Sequence, residues 1–359
     1  MKEIKSEVLI IGAGLTGLSL AYFLKANQIN ATIVEARSRL GGRILTEQSK
    51  GTPPIELGAT WLSKEHVNSL DLLRELGLEV FDQVLGQNAI YEAFSTAPFQ
   101  IIKLPDQEAT SKRVLGGTQK LITTLASKIN SSNIYLDQVV ESISKIGAEI
   151  LVETNTTIFK SRVVVSTLPA LLFQKQIKVQ PELPVEFHKI ANQTHTWMGE
   201  SIKVSFSYES RFWGKNKISG TIFSNIGPVS EMYDQSDSEN KHYALTGFLN
   251  GAYRSVSCEE RKNLVLNQLL KYYGDQAAAF SNYKELVWKN EEFTSVDSAE
   301  SIFPHQYNGH AIYQQGYLED SLFIAGTETS VVHGGYMEGA INSARKVCSI
   351  LTQSKIVYK

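Results

Sequence analysis

Three glycines near the start of the chain, Gly12, Gly14 and Gly17, have the spacing of a phosphate-binding turn. In this spacing the first glycine permits a tight turn, the second lets backbone approach a pyrophosphate, and the third lets helix and strand pack closely. The helix that follows would offer N–H groups and a positive dipole end to the phosphates. Glu35 lies where an acidic side chain accepts hydrogen bonds from the adenosine ribose hydroxyls, which favours FAD or NAD over NADP. The sequence therefore predicts dinucleotide binding.

A second segment, residues 35–43, helps to choose between these cofactors. Its adjacent glycines, Gly41 and Gly42, let backbone N–H groups reach a further stretch of the pyrophosphate. Arg39 and Arg43 can add positive charge and hydrogen-bond donors.

A third segment, residues 323–329, ends a predicted strand in Ala-Gly-Thr-Glu and leads to a helix predicted to begin at Tyr336. The N-terminus of that helix would face a ligand. Its dipole would stabilise negative charge on N1 and O2 of a reduced flavin. An NAD enzyme has no need for such a segment, so we predict FAD as the cofactor.

These motifs lie on elements that predict an α/β fold. Apolar runs predict nucleotide-domain strands at residues 7–11, 31–34, 134–140, 150–153, 162–166 and 322–325. Apolar residues at helical spacing predict helices after Gly17 and at residues 65–78, 115–129, 258–273 and 336–351. Alternating residues predict a separate, more antiparallel layer, with strands at residues 202–208, 220–223 and 242–248.

The order of these elements predicts a discontinuous Rossmann-type FAD-binding domain with an inserted α+β substrate domain that contains a mixed or antiparallel sheet. We assign residues 1–80, 114–178 and 290–359 to the FAD-binding domain. Residues 81–113 and 179–289 are assigned to the substrate domain.

The composition indicates a soluble globular protein of two or three domains, with 359 residues, 42% apolar and 20% charged. The 35 basic and 37 acidic residues give a net charge of -2, which argues against nucleic acid or an anionic membrane as the main partner. The two cysteines, Cys258 and Cys348, imply no disulfide framework. We see neither a signal peptide nor a membrane span, so a cytoplasmic location is the expectation.

In combination, the three segments resemble the flavin-dependent amine oxidase family, which includes monoamine oxidases, polyamine oxidases and histone demethylases. The resemblance extends over nearly the whole chain and keeps the family's order of motifs. These motifs are "VLIIGAGLTGLSLAYFL", "EARSRLGGR", "IELGATW", "VLGGTQKL", "VVVSTLP", "IKVSFSYESRFW" and "FIAGTETSVVHGGYMEGAINSA".

The resemblance implies two catalytic residues. Lys203 matches a family lysine that holds a water near flavin N5, where a cation helps O2 accept an electron and positions water to hydrolyse an imine. The alternative is an outward-facing lysine on an alternating strand. Tyr336 matches one of two aromatic residues that flank the substrate nitrogen above the flavin.

The resemblance also implies a set of FAD contacts. They are Gly12, Gly14, Gly17, Glu35, Ala36, Arg37, Gly42, Arg43, Gly58, Ala59, Thr60, Val140, Thr167, Trp288, Gly326, Glu328, Gly335, Tyr336 and Met337. Gly116 and Gly117 match a flexible turn near the flavin. Trp288 is equally compatible with a place in an ordinary core.

The sequence departs from the family pattern in the second aromatic residue. Ala311 lies where that residue is expected, so Tyr307 or Tyr313 would have to supply a ring from nearby. His310 lies where monoamine oxidases carry the cysteine that tethers the flavin. Non-covalent FAD is therefore predicted, with a histidyl link as the alternative. His305 and His310 are interpreted as polar contacts, and no metal site is predicted.

A second departure is the short connection between Leu78 and Gly116, where typical amine oxidases carry a helical substrate subdomain. Its absence predicts a more open active site, or one completed by a partner subunit in a homo-oligomer.

The leading prediction for function is oxidation of an amine C–N bond to an imine by FAD, with O2 as acceptor and H2O2 as product. One alternative is a flavoenzyme acting on a dihydropyridine or an unsaturated ring compound, as in renalase or the carotenoid desaturases. Another is an interaction protein in which FAD is structural.

Overall fold

A computed structural model describes residues 2–105, 110–296 and 302–354 of the chain. The strands in these ranges, in chain order, are β1 (Lys2–Ile11), β2 (Ala31–Val34), β3 (Thr46–Glu47), β4 (Ile55–Glu56), β5 (Val80–Asp82), β6 (Asn88–Glu92), β7 (Gln100–Lys103), β8 (Lys112–Val114), β9 (Ile134–Tyr135), β10 (Val140–Ile146), β11 (Glu149–Thr154), β12 (Thr157–Ser166), β13 (Lys178–Gln180), β14 (Ile202–Tyr208), β15 (Ile218–Ser224), β16 (Val229–Asp234), β17 (Tyr243–Leu249), β18 (Phe280–Val287), β19 (Gly316–Tyr317) and β20 (Leu322–Ile324). The α-helices are α1 (Leu15–Ala26), α2 (Val67–Glu75), α3 (Gln119–Lys128), α4 (Ala170–Gln176), α5 (Val185–Asn192), α6 (Cys258–Tyr273) and α7 (Met337–Gln353).

The first sheet contains a parallel core in the order β9-β2-β1-β12-β20. Its central strands are continuous apolar runs, because both faces of the sheet are covered and side chains on either face are buried. Ile10, for example, pairs with Val165 on one side and Ile33 on the other, and all three are buried. Helices α1, α3 and α7 share one hydrophobic core against this sheet. The first half of β12 also pairs antiparallel with β11, and β10 and β13 extend the sheet from there.

The second sheet has the order β18-β14-β17-β16-β15-β6-β7. All of its pairs are antiparallel except β15 with β6. Alternate residues of β14, such as Val204 and Phe206, pack in the core beneath α6. Because side chains on a strand alternate between faces, Lys203 and Ser205 lie on the opposite face.

The predicted α/β fold class is confirmed, and β2, β14 and α6 have the predicted bounds. The strand predicted at residues 134–140 is wrong. It is split into β9 and the start of β10, because Asp137 adopts a left-handed backbone with φ of 56° between them. The connection from Leu78 to Gly116 forms no α-helix in its described residues; it contributes β6 and β7 to the second sheet.

None of the helices within the described ranges combines the length and apolar character that crossing a bilayer requires.

Candidate active site

A cavity of about 820 Å³ lies between the two sheets. Gly12, Gly14 and Glu35 line one end, and Lys203 and Tyr233 line the other. This volume is within the range of pockets that hold small organic ligands. One continuous space therefore joins the glycine turn to the second sheet.

The glycine turn has the close packing that its sequence predicts. A Cβ atom on Gly17 would lie 2.0 Å from the carbonyl oxygen of Gly12, so only glycine fits there. Gly14 precedes the first residue of α1, and Gly14, Leu15 and Thr16 line the cavity. The first N–H groups of a helix have no partner inside it. The turn therefore presents free donors to a ligand in the cavity, as a pyrophosphate requires.

Glu35 is buried at the same end of the cavity. Its carboxylate accepts hydrogen bonds from the backbone N–H groups of Ala13, at 2.7 Å, and Arg37, at 3.0 Å. These contacts fix the side chain beside the glycine turn. A carboxylate has about four acceptor positions, so capacity remains for ligand hydroxyls.

The second glycine pair packs directly on the first turn. The N–H of Gly41 donates to the carbonyl of Ala13 at 2.9 Å. A Cβ atom on Gly42 would lie 3.3 Å from the Cα atom of Gly14. The two segments therefore form a single backbone wall of the cavity.

The arginines of this segment bind protein carboxylates, whereas the sequence suggested that Arg39 and Arg43 face the pyrophosphate. Arg43 forms a two-pronged pair with the buried Glu328, at 2.5 and 2.9 Å. Arg37 and Arg39 both approach Glu291, at 3.2 and 3.6 Å. Arg37 also donates to the carbonyl of Phe293, and Phe293 lines the cavity. These pairs join the N-terminal segment to residues far along the chain.

Lys203 is 2% exposed, so the alternative of an outward-facing lysine is excluded. Its Nζ donates to the carbonyl of Gly58 at 2.7 Å and to Thr60 Oγ1 at 2.5 Å. It also lies 4.7 Å from the centre of the Trp61 ring and 5.4 Å from that of Phe248. The "IELGATW" segment therefore covers the face of β14 that α6 leaves open.

Burial lowers the pKa of Lys203 from 10.5 to about 7, because the charged amine loses its hydration. The carboxylate of Glu56 opposes this effect, and the guanidinium of Arg113 adds to it. Near pH 7 the amine is therefore divided between its neutral and protonated forms, so it can accept or donate a proton at this end of the cavity.

Tyr336 immediately precedes α7 and is 41% exposed. Its ring centre lies 5.6 Å from that of Trp197 and 5.7 Å from that of His305. Trp197 and His305 stack at 3.9 Å. Sequence reasoning missed Trp197; its position shortly before the Lys203 strand was the available signal.

Neither tyrosine near Ala311 replaces the missing aromatic residue. Tyr313 is buried in the core and its hydroxyl pairs with Thr194. Tyr307 packs against His310. Neither Tyr307 nor Tyr313 lines the cavity. Trp197 is the ring that the structure brings beside Tyr336 and into the cavity wall.

Most of the predicted cofactor contacts line the cavity. They are Gly12, Gly14, Glu35, Ala36, Arg37, Gly42, Arg43, Gly58, Ala59, Thr60, Val140, Thr167, Trp288, Gly335, Tyr336 and Met337. Three of the predicted contacts do not line the cavity: Gly17, Gly326 and Glu328. Glu328 instead binds Arg43, which does line it. Gly116 and Gly117 line a different cavity.

The end of the cavity beyond Lys203 has aromatic walls that the sequence did not predict. Trp61 contacts Tyr233 at 5.3 Å and Phe248 at 5.9 Å between ring centres. The exposed Glu231 also lines this end, where its carboxylate accepts a hydrogen bond from the Tyr233 hydroxyl at 2.9 Å. This part of the cavity suits a cationic or amphipathic ligand.

Among the residues that line the cavity in the described ranges there is no histidine or cysteine. His310 Nδ1 instead accepts the backbone N–H of Ile312. The described residues also contain no group of three or more histidine, cysteine, aspartate or glutamate residues arranged to hold a metal.

Comparison with known proteins shows which family has this arrangement. The model of the family described as flavin containing amine oxidoreductase matches residues 15–99 and 84–352. A probable flavin-containing monoamine oxidase A from Dictyostelium discoideum is 24% identical, over 95% of this chain and 96% of its own length. Putrescine oxidase from Kocuria rosea is also 24% identical, over 86% of this chain and 87% of its own length.

Solved structures share the fold. A putrescine oxidase bound to putrescine has a TM-score of 0.86 and 20% identity, with 98% of this chain and 100% of that chain covered. Cyclohexylamine oxidase from Brevibacterium oxydans has a TM-score of 0.85 at 20% identity, with 97% and 99% covered. Since the family model spans most of the sequence, and the glycine turn suits its cofactor, the chain belongs to the flavin containing amine oxidoreductase family and is a flavin-dependent oxidoreductase.

Proposed function

We propose that the protein is an FAD-dependent oxidase that converts an amine to an imine, with O2 as electron acceptor and H2O2 as product. One observation carries this proposal: a single cavity joins a dinucleotide-type glycine turn to a buried lysine that titrates near neutral pH. The first feature suits the cofactor, and the second suits proton and water chemistry beside it.

Bound FAD would supply the two-electron acceptor for the α-carbon and the donor for O2. Glu35 would bind the adenosine ribose, and the first turn of α1 would bind the pyrophosphate. Attachment would be non-covalent, since neither histidine nor cysteine lines the cavity in the described residues.

Lys203 would hold the proton and the water that the reaction needs. Its neutral form can accept a proton from the substrate ammonium. The substrate must lose this proton because only the free amine donates its α-hydrogen with both electrons. Its charged form can orient water that hydrolyses the imine. Tyr336 and Trp197 would limit how the amine approaches this end of the cavity.

We further propose that the substrate carries a second cationic group. Glu231 is the carboxylate at the aromatic end of the cavity, and Tyr233 donates to it. An alkylammonium group would satisfy the carboxylate while its methylene chain packs against Phe223 and Phe248, which also line this end. A diamine has this chemistry, and a putrescine oxidase is among the relatives.

The test is peroxide release and anaerobic flavin reduction with a four-carbon diamine and with the matching monoamine. The diamine should react better, and Glu231→Gln should reduce that preference by about tenfold, because a charge-assisted hydrogen bond contributes about 1.5 kcal/mol or more. Glu209→Gln is the matched control, since Glu209 is an exposed carboxylate outside the cavity.

Two outcomes would contradict the proposal. Flavin reduction by NAD(P)H or an unsaturated ring compound, and by no amine, would refute amine oxidation and favour a non-amine donor. An unchanged diamine preference in Glu231→Gln would refute the second cationic subsite alone.

A further inference from the structure

A loop that follows β18, residues 288–296, contributes to the wall of the cavity, and we call it the strap. Its start is fixed by Trp288, which is buried and whose indole N–H donates to the carbonyl of Leu57 at 2.8 Å. Further along the strap, Phe293 and Thr294 line the cavity. The strap is therefore a wall segment that comes from a part of the chain far from the glycine turn.

The side chain of Arg37 holds the strap in place. Its Nη1 donates to the carbonyl of Phe293 at 3.2 Å. Its Nη2 donates to Thr294 Oγ1 at 2.7 Å and to Glu291 Oε2 at 3.2 Å. A guanidinium has five N–H donors, and three of these hydrogen bonds go to the strap. The Arg37 side chain is only 11% exposed, so water competes weakly for these contacts.

Arg37 also contacts the carboxylate that we expect to bind the adenosine ribose. Its backbone N–H donates to Glu35 at 3.0 Å, so one residue joins Glu35 to the strap. Glu291 pairs with Arg37 and lies 3.6 Å from Arg39, yet it does not line the cavity. An effect of Glu291 on a bound cofactor would therefore act through the arginines and the strap.

We propose that Arg37 and Glu291 are positioning residues that order the strap as a wall of the FAD site and thereby set how tightly FAD is held. This inference rests on the FAD binding proposed above and is independent of the substrate. A wall that is already ordered saves the entropy that a ligand would otherwise spend to order it. Losing the contacts between Arg37 and the strap should therefore weaken FAD binding.

The first readout is the rate at which FAD leaves the purified holoprotein, followed by the recovery of free flavin fluorescence after dilution. Arg37→Met should raise this rate by about tenfold, because it removes charge-assisted hydrogen bonds. Arg37→Lys should recover little of the loss, since an ammonium lacks the planar fork of the guanidinium.

Glu291→Gln should raise the FAD release rate by about threefold or more, although residue 291 lies outside the cavity wall. The substitution removes the charge that attracts both Arg37 and Arg39. Glu292→Gln is the matched control, since Glu292 is an exposed carboxylate of the same strap. Its release rate should equal that of wild type.

Hydrogen exchange at saturating FAD distinguishes positioning of the strap from direct contact with the cofactor. The backbone N–H groups of Thr294 and Ser295 donate to the carbonyl of Glu291 at 2.9 and 3.1 Å. Their exchange therefore reports the opening of the strap. Arg37→Met should raise exchange in residues 288–296 by about tenfold and leave exchange in α1 unchanged.

An unchanged FAD release rate in Glu291→Gln would overturn the proposal. Faster release from Arg37→Met with unchanged exchange in the strap would also overturn it, because Arg37 would then act on FAD directly. If Arg37→Met does not fold, the same two measurements on Glu291→Gln decide. A holoprotein whose flavin no amine reduces, with the release rates changed as expected, would refute the proposed amine oxidation and leave the role of the strap standing.

Discussion

Replacing Lys203 by methionine should reveal that the protein keeps this lysine at a cost in stability. The side chain is 2% exposed, and methionine has a similar length without the charge. The folded wild-type protein binds fewer protons at this position than the unfolded chain does between about pH 7 and pH 10.5. Wild-type stability should therefore rise with pH across this window, relative to the variant.

The magnitude follows from the pKa of Lys203, which falls from 10.5 to about 7 on folding. At about 1.4 kcal/mol per unit of pKa, the protonated lysine costs roughly 5 kcal/mol below pH 7. At about pH 9 the unfolded lysine is still protonated, and the remaining cost is roughly 2 kcal/mol. Methionine removes this term but also removes the two hydrogen bonds from Lys203 Nζ, to the Gly58 carbonyl and to Thr60 Oγ1, a pH-independent loss of about 1–3 kcal/mol in total.

Urea unfolding of the flavin-free proteins at about pH 6 and pH 9 measures this effect. The free energy of unfolding of the variant, measured relative to that of wild type, should be about 3 kcal/mol higher at pH 6 than at pH 9. It should also lose nearly all amine-dependent turnover while retaining flavin. A difference between the proteins that is the same at both pH values would refute the depressed pKa, and with it the reasoning on Lys203 as a proton acceptor.

Three further substitutions test the framework around the site. Gly17→Ala should cost about 1–3 kcal/mol and reduce the flavin content of purified protein, because its Cβ would meet the carbonyl of Gly12; normal flavin absorbance would contradict this. Arg43→Met should cost about 3–5 kcal/mol in urea unfolding by leaving the Glu328 carboxylate unpaired, and a loss below 1 kcal/mol would argue against the pair. Glu338→Ala should lower the free energy of unfolding by about 1–2 kcal/mol, because the Glu338 carboxylate accepts hydrogen bonds from the backbone N–H groups of Asn68 and Ser69 at the start of α2.

Local sequence determined much of the fold. The glycine turn, β2, β14 and α6 depend on spacing within a few residues, and each lies where the pattern predicts. The cofactor end of the site follows from the same local rules, because Gly12, Gly14 and Glu35 belong to one strand–helix–strand unit. The prediction failed at residues 134–140, where a left-handed turn at Asp137 has no apolar signature.

The substrate end was decided by tertiary structure. Trp61, Trp197, Glu231 and Phe248 come from segments that are far apart in the chain, and no local pattern connects them. Strand pairing in the second sheet and its packing on the first bring them to one cavity. A single sequence records which side chains alternate on a strand, but it does not record which other segment will cover each face.

Lys203 shows the same division. Alternation predicted its strand but left open whether the lysine faces outward, whereas its burial depends on the 57–61 segment that covers that face of the strand. Hydration decides the pKa of an amine, and only the assembled structure removes water from it. The sequence therefore determined the glycine turn and the position of the lysine, and the tertiary structure determined that this lysine titrates near neutral pH.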